Sequence, residues 1–346
     1  MVLSAVLVRM TSDTETITID DATALLTRAF TANGVPENTA TSVATALVAA
    51  QAEGQAGHGF SRLEDYIAQV RSGKIVADAV PMATATGAAA LSVDAGHGFA
   101  FPALDLGVAS GVACARDTGC AAVSITRSHH CGALSVTVDR IAQAGMIGLM
   151  VANTPAAIAP FGSNAPLYGT NPIAFAAPRA DAPPLVIDLS LSVVARGKVM
   201  NAHKTGQRIP EGWALDADGA PTTDPEAALA GSMVPIGGAK GTALALMVEV
   251  LAATLTGAQG SAGMPSYFKA EGPPPGSGQF LLILRPGDNA GFATRLEALL
   301  AQVAAAPGAR LPGSRRLSAL TEARKHGLQV PKTYLEGARA LAQGHG

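Results

Sequence analysis

The sequence predicts an α/β (α+β) protein with a large core, and three observations carry that prediction. A β-branched segment, Ala121-Ala122-Val123-Ser124-Ile125, leads into a polar turn and then into Leu134, Val138, Ile141 and Ala142 at helical spacing. Further short strand patterns at residues 146–151, 173–177, 185–188 and 279–284 alternate with helical ones. Helical periodicity alone fills both ends of the chain. At 346 residues with 48% hydrophobic side chains, the protein can bury a large core, and its length suits two or three domains.

The elements follow in order. Asp20 and Asp21 precede Ala22, Leu25, Leu26, Ala29 and Phe30, and Asn33-Gly34 closes that helix. A second helix runs from Pro36 to about Glu53, with Val43, Ala44, Leu47 and Val48 on one face. A third follows Gly57-His58-Gly59 and ends at Gly73, with Ser61 and Glu64 expected to form a capping box at its start. The middle reads as helix 100–117, strand 121–125, helix 133–143, and strand 146–151. Strands 173–177 and 185–188 come next, separated by Pro178 and Pro183-Pro184. Helix 193–201, a loop around Trp213 and helix 242–255 follow. Residues 257–278, rich in Gly and Pro, read as a surface excursion. A buried strand at 279–284, a helix at 290–305 and a helical tail from Leu317 complete the chain.

Composition excludes several classes. A net charge of −2 without a basic stripe argues against a nucleic-acid surface. Cys114, Cys120 and Cys131 are an odd set without metal-ligand pairing, which points to a reducing cytoplasm and no metal. Mean hydropathy is +0.28, an excess that comes from alanine, and the most apolar helix carries Glu249 and is too short to span a bilayer. Met1 to Arg9 lacks a basic region and the length of a secretory signal, so Met10 is a candidate start.

Two clusters carry chemistry. Ser128-His129-His130-Cys131-Gly132 lies at a strand-to-helix switch, where helix N–H groups face a ligand and active sites of α/β sheets gather. The plain alternative is a loop whose histidines satisfy local hydrogen bonds. In Gly57-His58-Gly59-Phe60-Ser61-Arg62, the arginine enters the first helical turn, where a cation opposes the macrodipole by up to ~1 kcal/mol. An anion bound there would offset that cost. Arginine grips carboxylates bidentately, and His58 beside it exchanges protons near neutral pH. A surface pair with Glu64 or Asp65 explains Arg62 equally well. His129 reads as a solvated loop residue and His97 as structural. No G-x-G-x-x-G follows a strand, and Gly237-Gly238-Ala239-Lys240-Gly241-Thr242 lacks P-loop spacing, so an ordinary doubly-wound dinucleotide domain is disfavoured.

Five motifs in order resemble one family across about Ile17 to Leu335. They are Gly57-His58-Gly59-x-x-Arg62, Ser128-x-His130-x-Gly132, Gly169-Thr170-Asn171-Pro172, Asp188-x-Ser190-x-Ser192 and Gly237-Gly238-x-Lys240-Gly241. They look like the type 2 malate/L-lactate dehydrogenases, which use NAD(P) without a Rossmann domain. The resemblance implies a largely antiparallel sheet in the cofactor domain, a helical domain joining both termini, and a homodimer with its active site at the interface. It divides the chain into a disordered or non-native start (1–16), a helical domain (17–78 with 315–346) carrying His58 and Arg62, and an NAD(P)-binding domain (79–314) with the excursion at 257–278. Carried over, His58 is the proton donor, oriented by Asp188, and sister dehydrogenases give that role to the histidine matching His130. Arg62 and Thr170 hold the substrate. His130, Cys131, Gly132, Ala133, Leu134, Asp188, Leu189, Ser190, Gly238, Ala239 and the loop Arg310, Pro312, Gly313, Ser314, Arg315 line the cofactor, NADPH with NADH as an alternative.

Within the family, His130-Cys131-Gly132-Ala133-Leu134, Ile209 to Asp216 and Thr222-Thr223-Asp224-Pro225 resemble the Δ1-piperideine-2-carboxylate/Δ1-pyrroline-2-carboxylate reductases. That branch implies an imine reductase of proline metabolism making L-proline and L-pipecolate in the cytoplasm, with neither nucleic acid nor membrane as partner. The chain departs from it at Gly57, where serine is usual, and at Cys131, where an aromatic is usual. The alternatives are a 2-hydroxy acid dehydrogenase acting on malate, lactate or ureidoglycolate, and a nucleotide-binding scaffold without activity. The joint presence of His58, Arg62, His130 and Asp188 argues against the scaffold.

Overall fold

The computed structural model describes residues 13–344. The candidate start at Met10 and the segment Met1 to Arg9 lie outside them.

The chain opens with strand β1 (Thr14–Ile17), then helices α1 (Ile19–Thr31), α2 (Glu37–Ala52) and α3 (Leu63–Arg71). Strand β1 corrects the expectation of a structureless start through residue 16: it pairs antiparallel with Leu328–Pro331 near the other terminus. Thr18 caps α1, its hydroxyl accepting from the Asp21 N–H at 3.1 Å, and Leu25, Leu26 and Phe30 are buried as the spacing predicts. Fully burying such side chains contributes about 1.5–3 kcal/mol each. The capping box at α3 is absent. A 3-10 turn, Phe60–Arg62, precedes the helix, and the Ser61 hydroxyl donates back to the Ala56 carbonyl at 2.7 Å.

Next come β2 (Met82–Gly87), β3 (Ala90–Asp94), α4 (Ala100–Thr118), β4 (Cys120–Ser128), α5 (Leu134–Gln143), β5 (Ile147–Ala152), β6 (Ile173–Ala177) and β7 (Leu185–Leu189). They are followed by α6 (Arg196–Lys204), β8 (Ala214–Leu215), β9 (Pro221–Thr222), α7 (Pro225–Ala230), β10 (Ser232–Met233) and α8 (Ala239–Glu249), which continues as a π-helix over Val250–Thr254. The chain closes with β11 (Ser277–Leu284), α9 (Asn289–Ala305), α10 (Ser314–His326), β12 (Leu328–Pro331) and α11 (Lys332–Ala342). Helix α6 begins three residues later than the expected Val193.

A seven-stranded sheet in the order β2-β3-β4-β11-β5-β6-β7 forms the centre. Only β3 and β4 run parallel, so the sheet is largely antiparallel, as the resemblance implies. One face packs α4 and α5 over Val93, Val123, Ile125, Met150 and Ile283, and the other packs α8 and its π-helical extension. Helix α4 lies close on the sheet because Gly111 has no side chain; a Cβ there would stand 2.8 Å from Val123. A separate core joins α1, α2, α3 and α11 through Leu26, Leu47, Tyr66 and Leu335. Among the described residues, no helix is long and apolar enough to cross a membrane.

Candidate active site

Strand β4 carries Arg127, held at φ 49°, just before its last residue Ser128, and the chain turns through His129, His130 and Gly132 (φ 66°) into α5. Gly132 is required by space as well as by its dihedral, since a Cβ there would approach Phe101 to 3.0 Å. This turn faces the 3-10 segment before α3, so the two histidine clusters of the sequence meet. The His58 and His130 rings stack, with centroids 5.3 Å apart and planes 12° from parallel.

Tyr66, buried in α3, places its hydroxyl 2.6 Å from His130 Nδ1. Burial pushes the Tyr66 pKa up, so the phenol keeps its proton and donates it to Nδ1. The imidazole proton of His130 then sits on Nε2. Burial pulls the His58 pKa down to about 4, and the Arg62 charge adds to that. His130 falls well below its ordinary value for the same two reasons. Both rings are therefore neutral at pH 7.

Arg62 is 8% exposed. Its Nε donates to the Gly57 carbonyl at 2.9 Å and its Nη1 pairs with Asp65 at 3.1 Å, which fixes the guanidinium plane. The Phe268 ring covers that plane at 4.3 Å. The pairing with Asp65 weighed in the sequence is thus present, but in a nearly buried group beside two imidazoles. His129 corrects the expectation of a solvated side chain. It is 1% exposed, neither ring nitrogen has a hydrogen-bond partner among the described residues, and burial lowers its pKa to about 3. His97 adopts φ 62°, and its N–H donates to the Arg127 carbonyl at 2.7 Å, a structural role.

Asp188, near the end of β7, serves as the helix cap that a carboxylate at a strand end can supply. Its Oδ2 accepts from the Ser135 N–H at 2.8 Å, capping α5 from β7, while His58 Nδ1 has no hydrogen-bond partner among the described residues. No hydrogen bond among the described residues orients His58 through Asp188, which corrects that expectation. Burial raises Asp188 to about 6, with nearby Glu53 pushing the same way against the Ser135 N–H. Glu53 in turn holds Ser135 Oγ at 2.6 Å and Arg316 at 2.7 Å.

Backbone bonds gather the remaining candidates. The Leu191 N–H donates to the Thr170 carbonyl at 2.8 Å and the Ile236 N–H to the Leu191 carbonyl at 2.9 Å, so Thr170, Ser190 and the Gly237-Gly238 turn are neighbours. Gly313 lies against β7, where a Cβ would stand 2.6 Å from the Val186 carbonyl oxygen. Arg310, Pro312 and Arg315 are exposed, whereas the Ser314 hydroxyl is buried with no hydrogen-bond partner among the described residues. These residues fit a dinucleotide. Gly237 and Gly238 adopt φ 60° and 58°, with nothing within 4 Å of either Cβ position, ahead of a helix with no side-chain cap. Such a helix start offers free N–H groups to phosphate. Cys131 is buried and its thiol is pushed up to about 12 by burial, so it packs rather than reacts.

The profile of the malate/L-lactate dehydrogenase family matches residues 17–337. The chain belongs to that family. It is accordingly an oxidoreductase. Among curated members it is 49% identical, over 94% of this chain and 98% of the relative, to a (2R)-3-sulfolactate dehydrogenase (NADP(+)) of Chromohalobacter salexigens. It is 38% identical, over 96% and 98%, to a Δ1-pyrroline-2-carboxylate/Δ1-piperideine-2-carboxylate reductase of Pseudomonas putida. The crystal structure of Δ1-piperideine-2-carboxylate reductase from Pseudomonas syringae superposes with a TM-score of 0.89 at 38% identity, covering 94% of this chain and 99% of that one.

Within this family fold, Tyr66, Tyr267 and Phe268 escaped the sequence reading. By its spacing with Leu63, Ile67 and Val70, Tyr66 reads only as one apolar position of α3. Tyr267 packs on both His129 and His130, with centroids 5.4 and 5.2 Å away, yet it lies in the Gly/Pro-rich excursion. An aromatic pair inside such a segment, in a chain only 4% aromatic, is the signal that could have found it.

Proposed function

We propose that the protein is an NADP(H)-dependent oxidoreductase interconverting 2-hydroxy acids and 2-oxo acids, with (2R)-3-sulfolactate as the leading substrate. The observation that carries this reading is the neutral imidazole pair beside Arg62. An unprotonated His58 is free to act as general base toward the hydroxyl proton of a 2-hydroxy acid, and at a pKa of about 4 it is a weak base until substrate binds. Arg62 pairs with the substrate carboxylate. That pairing offsets the charge that helps depress His58, so its basicity rises when substrate is bound. His130, with Nδ1 engaged by Tyr66, presents Nε2–H to the reacting oxygen. Bound NADP+ supplies the two-electron hydride acceptor. The uncapped start of α8 and the buried Ser314 hydroxyl are the groups that would hold it. The 49% identity to an NADP(+)-dependent sulfolactate dehydrogenase supports the same substrate class.

Reduction of cyclic imino acids is the second reading, favoured by relatives of that activity at 38% identity. An imine must carry a proton before it accepts hydride, and a site whose histidines rest neutral serves that less directly. The reading includes a homodimer in the reducing cytoplasm, supported by three free cysteines and by an exposed apolar face on α8 and its extension formed by Leu244, Met247 and Val250.

The test is NADP+ reduction with (2R)-3-sulfolactate, malate and lactate, set against NADPH oxidation with Δ1-pyrroline-2-carboxylate and Δ1-piperideine-2-carboxylate. Turnover confined to the imines would move the protein to the second reading. No turnover with any of them would overturn both.

A further inference from the structure

The Gly/Pro-rich excursion does not lie free on the surface. Three side chains at the end of α3 and just beyond it reach across about 195 residues of sequence to hold it. Gln69 Nε2 donates to the Tyr267 carbonyl at 2.8 Å, and the Ser72 hydroxyl to the Ala270 carbonyl at 2.7 Å. Lys74, 1% exposed, donates from Nζ to the carbonyls of Ser266 at 2.6 Å and Lys269 at 2.7 Å, and more weakly to Glu271 at 3.4 Å. Every tether ends on a backbone carbonyl. The Tyr267 hydroxyl adds contacts to the Ser277 hydroxyl at 2.5 Å and the Asn153 carbonyl at 3.5 Å, and the Ser266 hydroxyl accepts from the Phe268 N–H at 3.2 Å, so the path of residues 266–271 is set by bonds in which the Phe268 side chain takes no part. Two of those side chains enter the site: Tyr267 against His129 and His130, and Phe268 over the Arg62 guanidinium.

We propose that residues 266–271 form a substrate-selecting strap, pinned by Lys74 with Gln69 and Ser72, in which Phe268 is the specificity-determining side chain at the carboxylate-binding arginine. The role rests on Arg62 binding the substrate carboxylate, as in the function proposed above. Phe268 covers one face of the guanidinium and so confines an incoming carboxylate to the edge. It also keeps water from that ion pair, where a desolvated charge contact is strongest. A smaller side chain opens the space beside Arg62 to bulkier acids and weakens the grip on small ones. Exchanging residue 268 changes substrate choice without moving the strap, because no tether passes through its side chain.

Two measurements test this. Phe268→Ala should raise KM for (2R)-3-sulfolactate about tenfold with kcat held within about threefold, and raise the Kd of oxalate, a carboxylate probe needing no turnover, by a similar factor. The ratio of kcat/KM for a bulkier 2-hydroxy acid such as phenyllactate to that for sulfolactate should rise. Unchanged KM, oxalate affinity and ratio would overturn the specificity role.

The pinning has its own readout. Lys269 is exposed, but its carbonyl is held by Lys74, so trypsin should spare the Lys269–Ala270 bond in the native protein and cut it at least tenfold faster in Lys74→Met. Ser72→Ala, which removes one tether from an exposed position, should cut at an intermediate rate with an unchanged melting temperature, so the test survives if Lys74→Met fails to fold. Equal cutting of wild type and Ser72→Ala, and of a folded Lys74→Met, would overturn the pinning. A wild type that neither turns over these acids nor binds oxalate would sink the proposed function and with it the selecting role of Phe268. The trypsin result would still decide the strap.

Discussion

Acidification should destabilise this protein steeply, and the buried imidazoles set how much. In an unfolded chain a histidine titrates near 6.5. In the folded protein burial holds His58 to about 4 and His129 to about 3, and His130 lies well below its ordinary value. Between the folded and unfolded values the unfolded chain binds more protons, so stability is complete above pH 6.5 and falls as the pH drops. From pH 7.5 to 5.0, His58 and His129 each cost about 2 kcal/mol, and His130 adds in the same direction. Asp188 opposes them. Its folded pKa of about 6 lies above the ordinary 3.8, so the folded state binds the extra proton, returning about 1.4 kcal/mol by pH 5.0. The net loss is at least about 2.5 kcal/mol, a large part of a typical 5–15 kcal/mol. Urea unfolding at the two pH values and constant ionic strength measures it. His129→Leu, which removes a ring with both nitrogens unpartnered, should shrink the loss by about 2 kcal/mol. Equal stability at pH 7.5 and 5.0, or an unchanged loss in the variant, would refute the reasoning.

Three further outcomes are expected from the site. His58→Ala should lower kcat by roughly 10²- to 10⁴-fold with NADP+ affinity preserved, whereas His130→Ala, which loses only an Nε2–H donor to the reacting oxygen, should lower kcat less; steady-state kinetics with fluorescence titration of NADP+ checks both, and the opposite pattern reverses the assignment. Tyr66→Phe strands His130 Nδ1, so it should cost about 1–3 kcal/mol of unfolding free energy and reduce kcat by releasing the ring's tautomer; full stability and activity would show that the 2.6 Å contact fixes nothing. Gly238→Ala meets no steric obstacle but forces a side chain into φ 58°, ψ −123°, so it should cost about 1–3 kcal/mol of stability or shift the turn, lowering the melting temperature by a few degrees and NADP+ affinity severalfold. Calorimetric titration checks it.

Much of the architecture could be read from local pattern, because the periodicity of an element records the face it buries. Helices α1 and α2 bury the positions their spacing selects, and β6 runs over the residues that Pro178 bounds. What escaped was decided by distant partners. Strand β1 exists because β12, more than 300 residues away, supplies its hydrogen bonds, and Thr14–Ile17 has no apolar alternation strong enough to announce that. Strand β2 is exposed along its whole length, so no buried face marks it. At α3 the Ser61–Glu64 spacing suggests a cap, but the 3-10 turn moves the helix start to Leu63 and turns the serine back to Ala56.

The site divides along the same line. His58, Arg62 and His130 were legible because each belongs to a short motif with its own backbone demand: the turn at Gly59 and the left-handed Gly132. Their protonation was not. A lone sequence places histidines near neutral titration, and only their burial in the fold, with the Arg62 charge beside them, makes both rings neutral. That difference bears on the reaction itself. A pair titrating near 6.5 would be about a quarter charged at pH 7 and partly fit to donate protons, whereas this pair rests neutral. Part of that burial comes from Tyr267, packed on His130 and placed there by a carbonyl tether that no motif records.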